Sequence, residues 1–168
     1  MAQIEPKDLP LIREKHCNQK IVYCSGVFDL IHPGHVLFFE DCKKFGDVLV
    51  VGVGGDTNLK KIKGNDRPIM NKYMRMKMVD SLKPVDYCFL SSHTPVNHPL
   101  EFIETVFKLL KPDTYIINAD ASEILYREEM AKKNNVGLKI LPRWCPDEFE
   151  NISTTKLIEK IKGGNRTF

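Results

Sequence analysis

Two histidines around a Pro-Gly pair, His32-Pro33-Gly34-His35, form the stretch of this chain best suited to chemistry. Pro33 suits the first position of a helix, because its ring presets φ and its missing N–H is not needed there. This predicts that His32 caps the helix and that His35 reaches back to it in a capping box. The free N–H groups and the positive end of the helix dipole attract anions at the same point. The pattern therefore predicts a phosphate site with two imidazoles beside it, which is typical of nucleotide chemistry.

Three consecutive hydroxyl residues, Ser153-Thr154-Thr155, follow Ile152 and precede an apolar periodic run. One hydroxyl is enough to cap a helix, so capping alone is the simpler interpretation. Three in a row favour a second helix start that also faces phosphates.

Basic side chains in two regions are candidates for neutralising phosphate. Lys61 and Lys63 lie in a basic loop after the second predicted strand, and Lys63 is expected to close on a phosphate. Arg75 stands alone on an apolar-rich helix, where its guanidinium suits a phosphate fork. Arg143, after Leu141-Pro142, is a candidate of the same kind.

Apolar β-rich runs alternate with helical periodicity along the chain. The predicted strands are Lys20–Ser25, Asp47–Val53, Val85–Leu90, Thr114–Ile117 and Leu138–Leu141. The predicted helices are Gly34–Phe45, Lys72–Leu82, Leu100–Leu110, Ser122–Asn134 and Ser153–Lys162. This alternation implies right-handed crossovers and an α/β fold with a Rossmann-like, doubly wound parallel sheet.

Ligands of such sheets bind beyond the carboxyl ends of the strands, near the point where the strand order reverses. The segment His32–His35, Asp56, and Asn118 with Asp120 all come just after predicted strands. We therefore expect them to line one rim of the sheet.

Length and composition indicate one ordinary globular domain. The chain has 168 residues, 42% of them apolar and 28% charged, which excludes disorder and leaves room for one core. We expect an arm over residues 1–19, with a short helix laid on the outside, a domain over residues 20–162 and a tail over residues 163–168.

Charge and cysteine content indicate which partners the protein binds and in which compartment it works. A net charge of +3 is weak support for a nucleic-acid partner, and none is expected. Five scattered cysteines without a C-x-x-C pair argue against a disulfide framework or a zinc site. No run is long enough for a membrane span, and no secretion signal is evident, so we expect a cytoplasmic protein.

At these residues the chain resembles the small H-x-G-H nucleotidyltransferases of the cytidylyltransferase-like superfamily. The matching stretches are Gly26 through His35, Phe45-Gly46-Asp47, Lys63-Gly64, Arg67-Pro68, Arg75, Val85-Asp86, Leu110 through Asp113 and Ile152 through Thr155. The resemblance implies a nucleoside triphosphate used with Mg²⁺, a phosphorylated sugar or polyol as acceptor, and a homodimer.

Two groups within this family are candidates. The tract from Leu59 to Pro68 and the N-terminal arm look like the adenylyltransferases that make ADP-heptose from heptose 1-phosphate and ATP. The ending with Arg143 and the segment Ile152–Thr155 is similar to glycerol-3-phosphate cytidylyltransferase, which uses CTP. Adenylyl transfer is the first expectation and cytidylyl transfer the alternative. A non-catalytic nucleotide-binding module is the alternative of another class.

Together with the patterns above, the resemblance implies three sets of site residues and no protein metal ligand. The catalytic set is His32, His35, Lys63 and Arg75. The nucleotide-binding set is Val27, Phe28, Gly34, Asn118, Asp120, Arg143, Ile152, Ser153, Thr154 and Thr155. The substrate-binding set is Asp29, Asp56 and Lys61. The histidines would stabilise charge on the α-phosphate while the acceptor's own phosphate attacks it.

Overall fold

A parallel sheet runs through the computed structural model, which describes residues 2–57, 66–91, 100–149 and 153–163. Within these residues its strands are β1 Ala2–Gln3, β2 Ile21–Gly26, β3 Val48–Gly54, β4 Tyr87–Ser91, β5 Thr114–Asn118 and β6 Gly137–Leu141. Their order across the sheet is β1-β4-β3-β2-β5-β6, and every pairing is parallel. The predicted α/β class and Rossmann-like sheet are thereby confirmed.

Helices join the strands. They are α1 Leu9–Lys15, α2 Pro33–Lys43, α3 Lys72–Asp80, α4 Glu101–Leu110, α5 Ile124–Lys133 and α6 Thr154–Gly163. Short 3₁₀ turns precede α1 and α6, at Pro6–Asp8 and Asp147–Phe149. Every predicted strand and helix is present with ends within two residues of the prediction, a normal uncertainty for element ends.

Two apolar clusters, one on each face of the sheet, explain why the strands are buried on both sides. Ile21 and Tyr23 of β2 belong to the cluster that includes side chains of α1, α4 and α5. Val22 and Cys24, the alternate residues of the same strand, belong to the cluster with α2 and α3. Alternate side chains of a strand point to opposite faces, so the sheet is covered by helices on both sides, as a doubly wound fold requires.

The N-terminal arm is more closely integrated than predicted. Ala2 pairs with Tyr87 and extends the sheet by one short edge strand. A strand of two residues is too short to be predicted from the alternation of apolar and polar residues. Leu9 and Ile12 are buried in the core, although the arm was expected on the outside, whereas Leu11 is exposed. The apolar side of α1 therefore closes one end of the core.

None of the helices in the described part of the chain combines the length and the apolar character needed to cross a bilayer.

The strand order reverses at β2, because the chain runs outward through β3 and β4 and then returns to place β5 on the other side of β2. The carboxyl ends of β2 and β5 consequently diverge into loops that leave in opposite directions. A crevice at such a point is the usual ligand site of an open α/β sheet.

Candidate functional site

A cleft of about 440 Å³ lies at the carboxyl ends of β2 and β5. Many of the residues predicted for the site line it together: Val27, Phe28, Asp29, Gly34, His35, Asn118, Asp120, Arg143, Ser153, Thr154 and Thr155. These residues come from the loop after β2, the first turn of α2, the loops after β5 and β6, and the start of α6. The fold thus brings segments from both ends of the sequence to one point.

The first turn of α2 positions His35. His32 has extended backbone angles at the N-cap, and Pro33 opens the helix as predicted. The backbone N–H of His32 donates a long hydrogen bond of 3.4 Å to Nδ1 of His35. Because Nδ1 accepts, Nε2 of His35 carries the proton and is the nitrogen able to donate to a ligand in the cleft.

Both imidazoles are held in the neutral form. Burial lowers the pKa of His35 from its ordinary 6.5 to about 3, with smaller contributions from His32 and from Arg143. Burial, followed by the charge of Arg143, also lowers the pKa of His32. At neutral pH each ring therefore offers one N–H donor without a formal charge.

The two histidines differ in their access to the cleft. Their ring centroids lie 3.9 Å apart, yet His35 lines the cleft and His32 lines a neighbouring apolar depression beside Pro33 and Val36. His32 is 5% exposed, and its Nδ1 is buried without a hydrogen-bond partner among the described residues. The predicted capping box is present at the start of α2, and the bond from the His32 N–H to His35 Nδ1 belongs to it. A direct role for His32 on phosphate stays a prediction.

The three hydroxyls at the start of α6 have three different surroundings. Ser153 Oγ accepts from the backbone N–H of Lys156 at 3.2 Å and so caps the helix. Thr154 Oγ1 donates to the backbone carbonyl of Asp29 at 2.8 Å, which ties α6 to the loop after β2. Thr155 is exposed and lines the cleft. Capping, the simpler interpretation, accounts for Ser153, a tertiary contact accounts for the Thr154 hydroxyl, and Thr155 is left on the lining of the cleft.

Arg143 lies at the mouth of the cleft. It pairs with Asp120 at 3.1 Å, and both side chains are about half exposed. Exposed ion pairs of this kind contribute little to stability, so the guanidinium can turn to an incoming phosphate at small cost. Its charge already acts on the pKa of both histidines.

The structure contradicts the prediction that the guanidinium of Arg75 binds phosphate. Its side chain is completely buried and does not line the cleft. It donates to the carbonyls of Met70, Val27 and Gly54 and forms a 2.7 Å ion pair with Asp56. With its donors used inside the protein, Arg75 holds the loops after β2 and β3 together instead of contacting phosphate.

The two acidic residues predicted for substrate binding are also engaged by the protein. Asp56 pairs with Arg75 and accepts from the backbone N–H of Lys72 at 3.1 Å, and it does not line the cleft. The predicted substrate contact of Asp56 is therefore replaced by a structural ion pair. Asp29 does line the cleft but is 4% exposed, and its oxygens accept from the backbone N–H groups of Ile69 and Met70 at 2.8 and 3.0 Å.

Three predicted site residues, Lys61, Lys63 and Ile152, lie outside the described residues.

Two arginines outside the predicted site sets, Arg67 and Arg127, also line the cleft. Arg67 is 19% exposed and lies 4.0 Å from Asp29. Arg127 is 8% exposed, on the same side of α5 as the buried Met130 and Ala131. A signal was present in the second case, because a cation three and four positions before core residues stands on the buried side of a helix.

The arrangement is suited to a polyanion. A neutral imidazole donor, the N-terminal turns of α2 and α6, and the guanidinium groups of Arg67, Arg127 and Arg143 face one cleft of a doubly wound sheet. Such donors stabilise charge that develops on phosphoryl oxygens. Fold and site together are typical of α/β proteins that bind ligands with phosphate groups.

Comparison with known proteins assigns the family. A family model described as cytidylyltransferase-like matches residues 23–160, which is most of the chain and includes every strand from β3 to β6. The chain therefore belongs to the cytidylyltransferase-like family.

Similar sequences include two bifunctional proteins named HldE. The one from Campylobacter jejuni is 35% identical over 161 residues, and the one from Helicobacter pylori is 36% identical over 165 residues. These matches cover 95% and 96% of this chain but 32% of each relative. The chain thus spans about a third of the length of the curated relatives it matches.

Solved structures share the architecture. The lipopolysaccharide core biosynthesis protein from Thermoplasma volcanium is 28% identical, with a TM-score of 0.61, over 77% of this chain and 99% of its own. Pantoate-β-alanine ligase from Francisella tularensis is 15% identical, with a TM-score of 0.58, over 96% of this chain and 77% of its own. The second likeness concerns the fold alone.

Proposed function

We propose that this protein transfers a nucleoside monophosphate from a nucleoside triphosphate to the phosphate of a small acceptor. An oxygen of the acceptor's phosphate attacks the α-phosphorus in line. A new O–P bond forms as the bond between the α-phosphorus and the bridging oxygen breaks, and pyrophosphate leaves. A phosphate monoester is already a nucleophile near neutral pH, so positioning and charge stabilisation carry this chemistry.

The observation that carries this proposal is the setting of His35 at the N-terminal turn of α2. Its neutral ring lines the cleft with Nε2–H as its donor, beside the positive end of the α2 dipole. Both kinds of donor would strengthen their hydrogen bonds as charge grows on the α-phosphate oxygens. Acidic groups at the cleft are occupied, since Asp29 accepts two backbone N–H groups and Asp120 pairs with Arg143. This agrees with a reaction that needs no general base.

For substrates we propose ATP and a heptose 1-phosphate. The identity to HldE over nearly the whole chain supports this choice, together with the likeness to a protein described as a lipopolysaccharide core biosynthesis protein. CTP with glycerol 3-phosphate or a similar polyol phosphate is the second candidate. The family description as cytidylyltransferase-like favours it.

Mg²⁺ is proposed to enter with the triphosphate. Mg²⁺ is commonly coordinated by substrate phosphate oxygens and water with few protein ligands. When bound, it would neutralise charge on the triphosphate. His35 and the arginines of the cleft would orient the phosphates around it.

We also propose a cytoplasmic homodimer that acts on small molecules rather than nucleic acid. Five scattered cysteines without a C-x-x-C pair agree with a reducing compartment. Tyr73, Met74 and Met78 expose apolar surface on α3, a feature that a subunit contact would cover. Sedimentation equilibrium measures the mass directly, and a single species of 19.3 kDa at all concentrations would exclude the dimer.

A matrix of pyrophosphate-release assays tests the proposed reaction. ATP, CTP, GTP and UTP are each combined with heptose 1-phosphate, glucose 1-phosphate and glycerol 3-phosphate, with Mg²⁺ present. We expect release with ATP and heptose 1-phosphate, and the second candidate predicts release with CTP and the polyol phosphate. Tight nucleotide binding without release in any combination would identify a non-catalytic binding module instead.

A further inference from the structure

Arg127 is a buried cation on the floor of the cleft. It extends from α5 and is 8% exposed, and it lines the cleft near Ser25 and Asn118. Its Nε donates to the carbonyl of Ser122 at 2.8 Å, and its Nη1 donates to the hydroxyl of Tyr115. These contacts hold the guanidinium plane in place. Its Nη2 has no hydrogen-bond partner among the described residues.

Ion pairing distinguishes Arg127 from Arg75 in the described part of the chain. Across the described ranges, no carboxylate forms an ion pair with its guanidinium. Arg75 provides an internal comparison, because it is also buried and is matched by Asp56 at 2.7 Å. Burial of an unpaired charge is unfavourable, so a guanidinium with no carboxylate partner in the described part of the chain is well placed to receive an anionic ligand.

The position of Arg127 indicates where that partner would bind. Tyr115 belongs to β5, and its hydroxyl lies 3.4 Å from Oγ of Ser25 on the adjacent β2. Arg127 therefore sits over the boundary between these strands, where the strand order reverses. Tyr115 is itself enclosed, and burial raises the pKa of its hydroxyl, while Arg127 opposes this change. The hydroxyl thus stays neutral and serves to fix the guanidinium.

We propose that Arg127, oriented by Tyr115 and Ser122, forms a phosphoryl-binding subsite on the floor of the cleft. A guanidinium offers paired N–H donors that match two oxygens of one phosphoryl group. The subsite rests on the proposed function for the nature of its ligand, since that reaction supplies two sources of phosphoryl groups. One is the triphosphate and the other is the acceptor's phosphate.

Binding measurements on the full chain separate these sources. Arg127→Gln removes the charge and the fork, and Lys132→Gln on the same helix removes an exposed positive charge as the matched control. ATP, CTP, pyrophosphate, inorganic phosphate and glucose 1-phosphate are each titrated alone by calorimetry. We expect Arg127→Gln to weaken at least one of them by about 10- to 100-fold, the usual effect of losing a charged hydrogen bond. Lys132→Gln should bind them all like the parent.

The pattern of losses identifies the source. A loss for nucleotides and pyrophosphate assigns Arg127 to the triphosphate, and a loss for the sugar phosphate assigns it to the acceptor. In turnover assays the corresponding KM should rise more than kcat falls. An Arg127→Gln protein that is folded by circular dichroism and binds every ligand as tightly as the parent would overturn the proposal.

Two further arms keep the test decisive. If Arg127→Gln does not fold, Arg127→Lys keeps the buried charge without the fork. It should weaken the same ligand, and unchanged affinity would count against the subsite. Because binding is measured without turnover, the absence of pyrophosphate release with every substrate pair would refute the proposed reaction while leaving the subsite intact.

Discussion

His35 shows how a neutral side chain can serve a reaction in which negative charge builds up. Its Nδ1 is occupied by the backbone N–H of His32, and burial keeps the ring uncharged. A fixed N–H donor in a partly desolvated cleft needs little reorganisation when charge appears on phosphate, which is why such donors can contribute strongly to rate. The donor that His35 offers is thus determined by its hydrogen bond to His32 as well as by its being a histidine.

Replacement of His35 by alanine tests this donor. We expect His35→Ala to lower kcat by about 10²- to 10³-fold, because one oxyanion donor is typically worth that much. The dissociation constant for the nucleotide should change little, since the hydrogen bond strengthens in the transition state. His16→Ala is the control, because His16 contacts Gln19 and Tyr87 and does not line the cleft. Unchanged kcat in His35→Ala would remove the proposed role.

The lowered pKa of His35 predicts a pH dependence with a definite sign. Its folded-state pKa of about 3 lies below its ordinary value of 6.5, so acid protonates this residue first in the unfolded chain. The contribution of His35 to stability is complete above about pH 6.5 and is lost as the pH falls from there towards 3. Urea denaturation at several pH values should show a shallower acid loss in His35→Gln than in the parent.

A triphosphate should partly reverse this shift, because nearby negative charge favours the protonated ring. NMR titration of the His35 ring is expected to give a higher pKa with bound nucleotide than without it. An equal or lower pKa in the complex would place the phosphates away from this residue.

At the scale of elements, the site depends on two helix N-termini that face one cleft. The start of α2 is set locally, by Pro33 and the hydrogen bond between the two histidines. The start of α6 is set by a distant contact, from Thr154 to the carbonyl of Asp29, 125 residues away in sequence. Since α6 has no buried residues of its own, this contact is an important restraint on its position.

Removal of the Thr154 hydroxyl tests that restraint. Thr154→Val keeps the shape of the side chain but loses the 2.8 Å bond, and a neutral hydrogen bond contributes about 0.5–1.5 kcal/mol. We expect nucleotide affinity to fall by about 2- to 10-fold and amide hydrogen exchange in α6 to become faster. Thr105→Val on α4, an exposed threonine far along the chain, should change neither quantity. Unaltered exchange in α6 would show that another contact holds the helix.

Element boundaries were largely predictable because they depend on local rules. The unbroken apolar run of β3, the Pro33 start of α2 and the Ser153 cap of α6 each lie within a few adjacent residues. Periodicity and capping act over such distances. The edge strand Ala2–Gln3 was not predicted because its existence depends on pairing with β4, and its partner Tyr87 lies 85 positions after Ala2 in the sequence.

At the scale of the whole molecule, the cleft is assembled from both halves of the chain. Its lining runs from Ser25 to Thr155, and the reversal of strand order at β2 is what brings these segments together. A ligand that contacts them at once should stabilise the folded state as a unit, since it binds the folded chain and not the unfolded one.

A series of thermal-shift measurements with different nucleoside triphosphates measures this stabilisation and shows which base the site prefers. At about 100 times its dissociation constant, a ligand adds about 2.7 kcal/mol, which corresponds to a Tm increase of about 5–10 °C for a chain of this size. We expect the largest increase with ATP and Mg²⁺. CTP giving the largest increase would favour the second candidate, and an equal increase with sulfate at matched ionic strength would indicate a non-specific anion effect.

The division between what could be predicted and what could not is clearest in the arginines. Fold class, strand and helix positions and the rim that holds the site follow from periodicity and turn chemistry, which act between near neighbours in the chain. The roles of Arg75 and Arg127 do not, because both stand on helices beside apolar residues and look alike in the sequence. Packing matches one with Asp56, 19 positions away, and leaves the other facing the cleft. Pairing of charges is a long-range property, so its outcome is visible once the chain is folded.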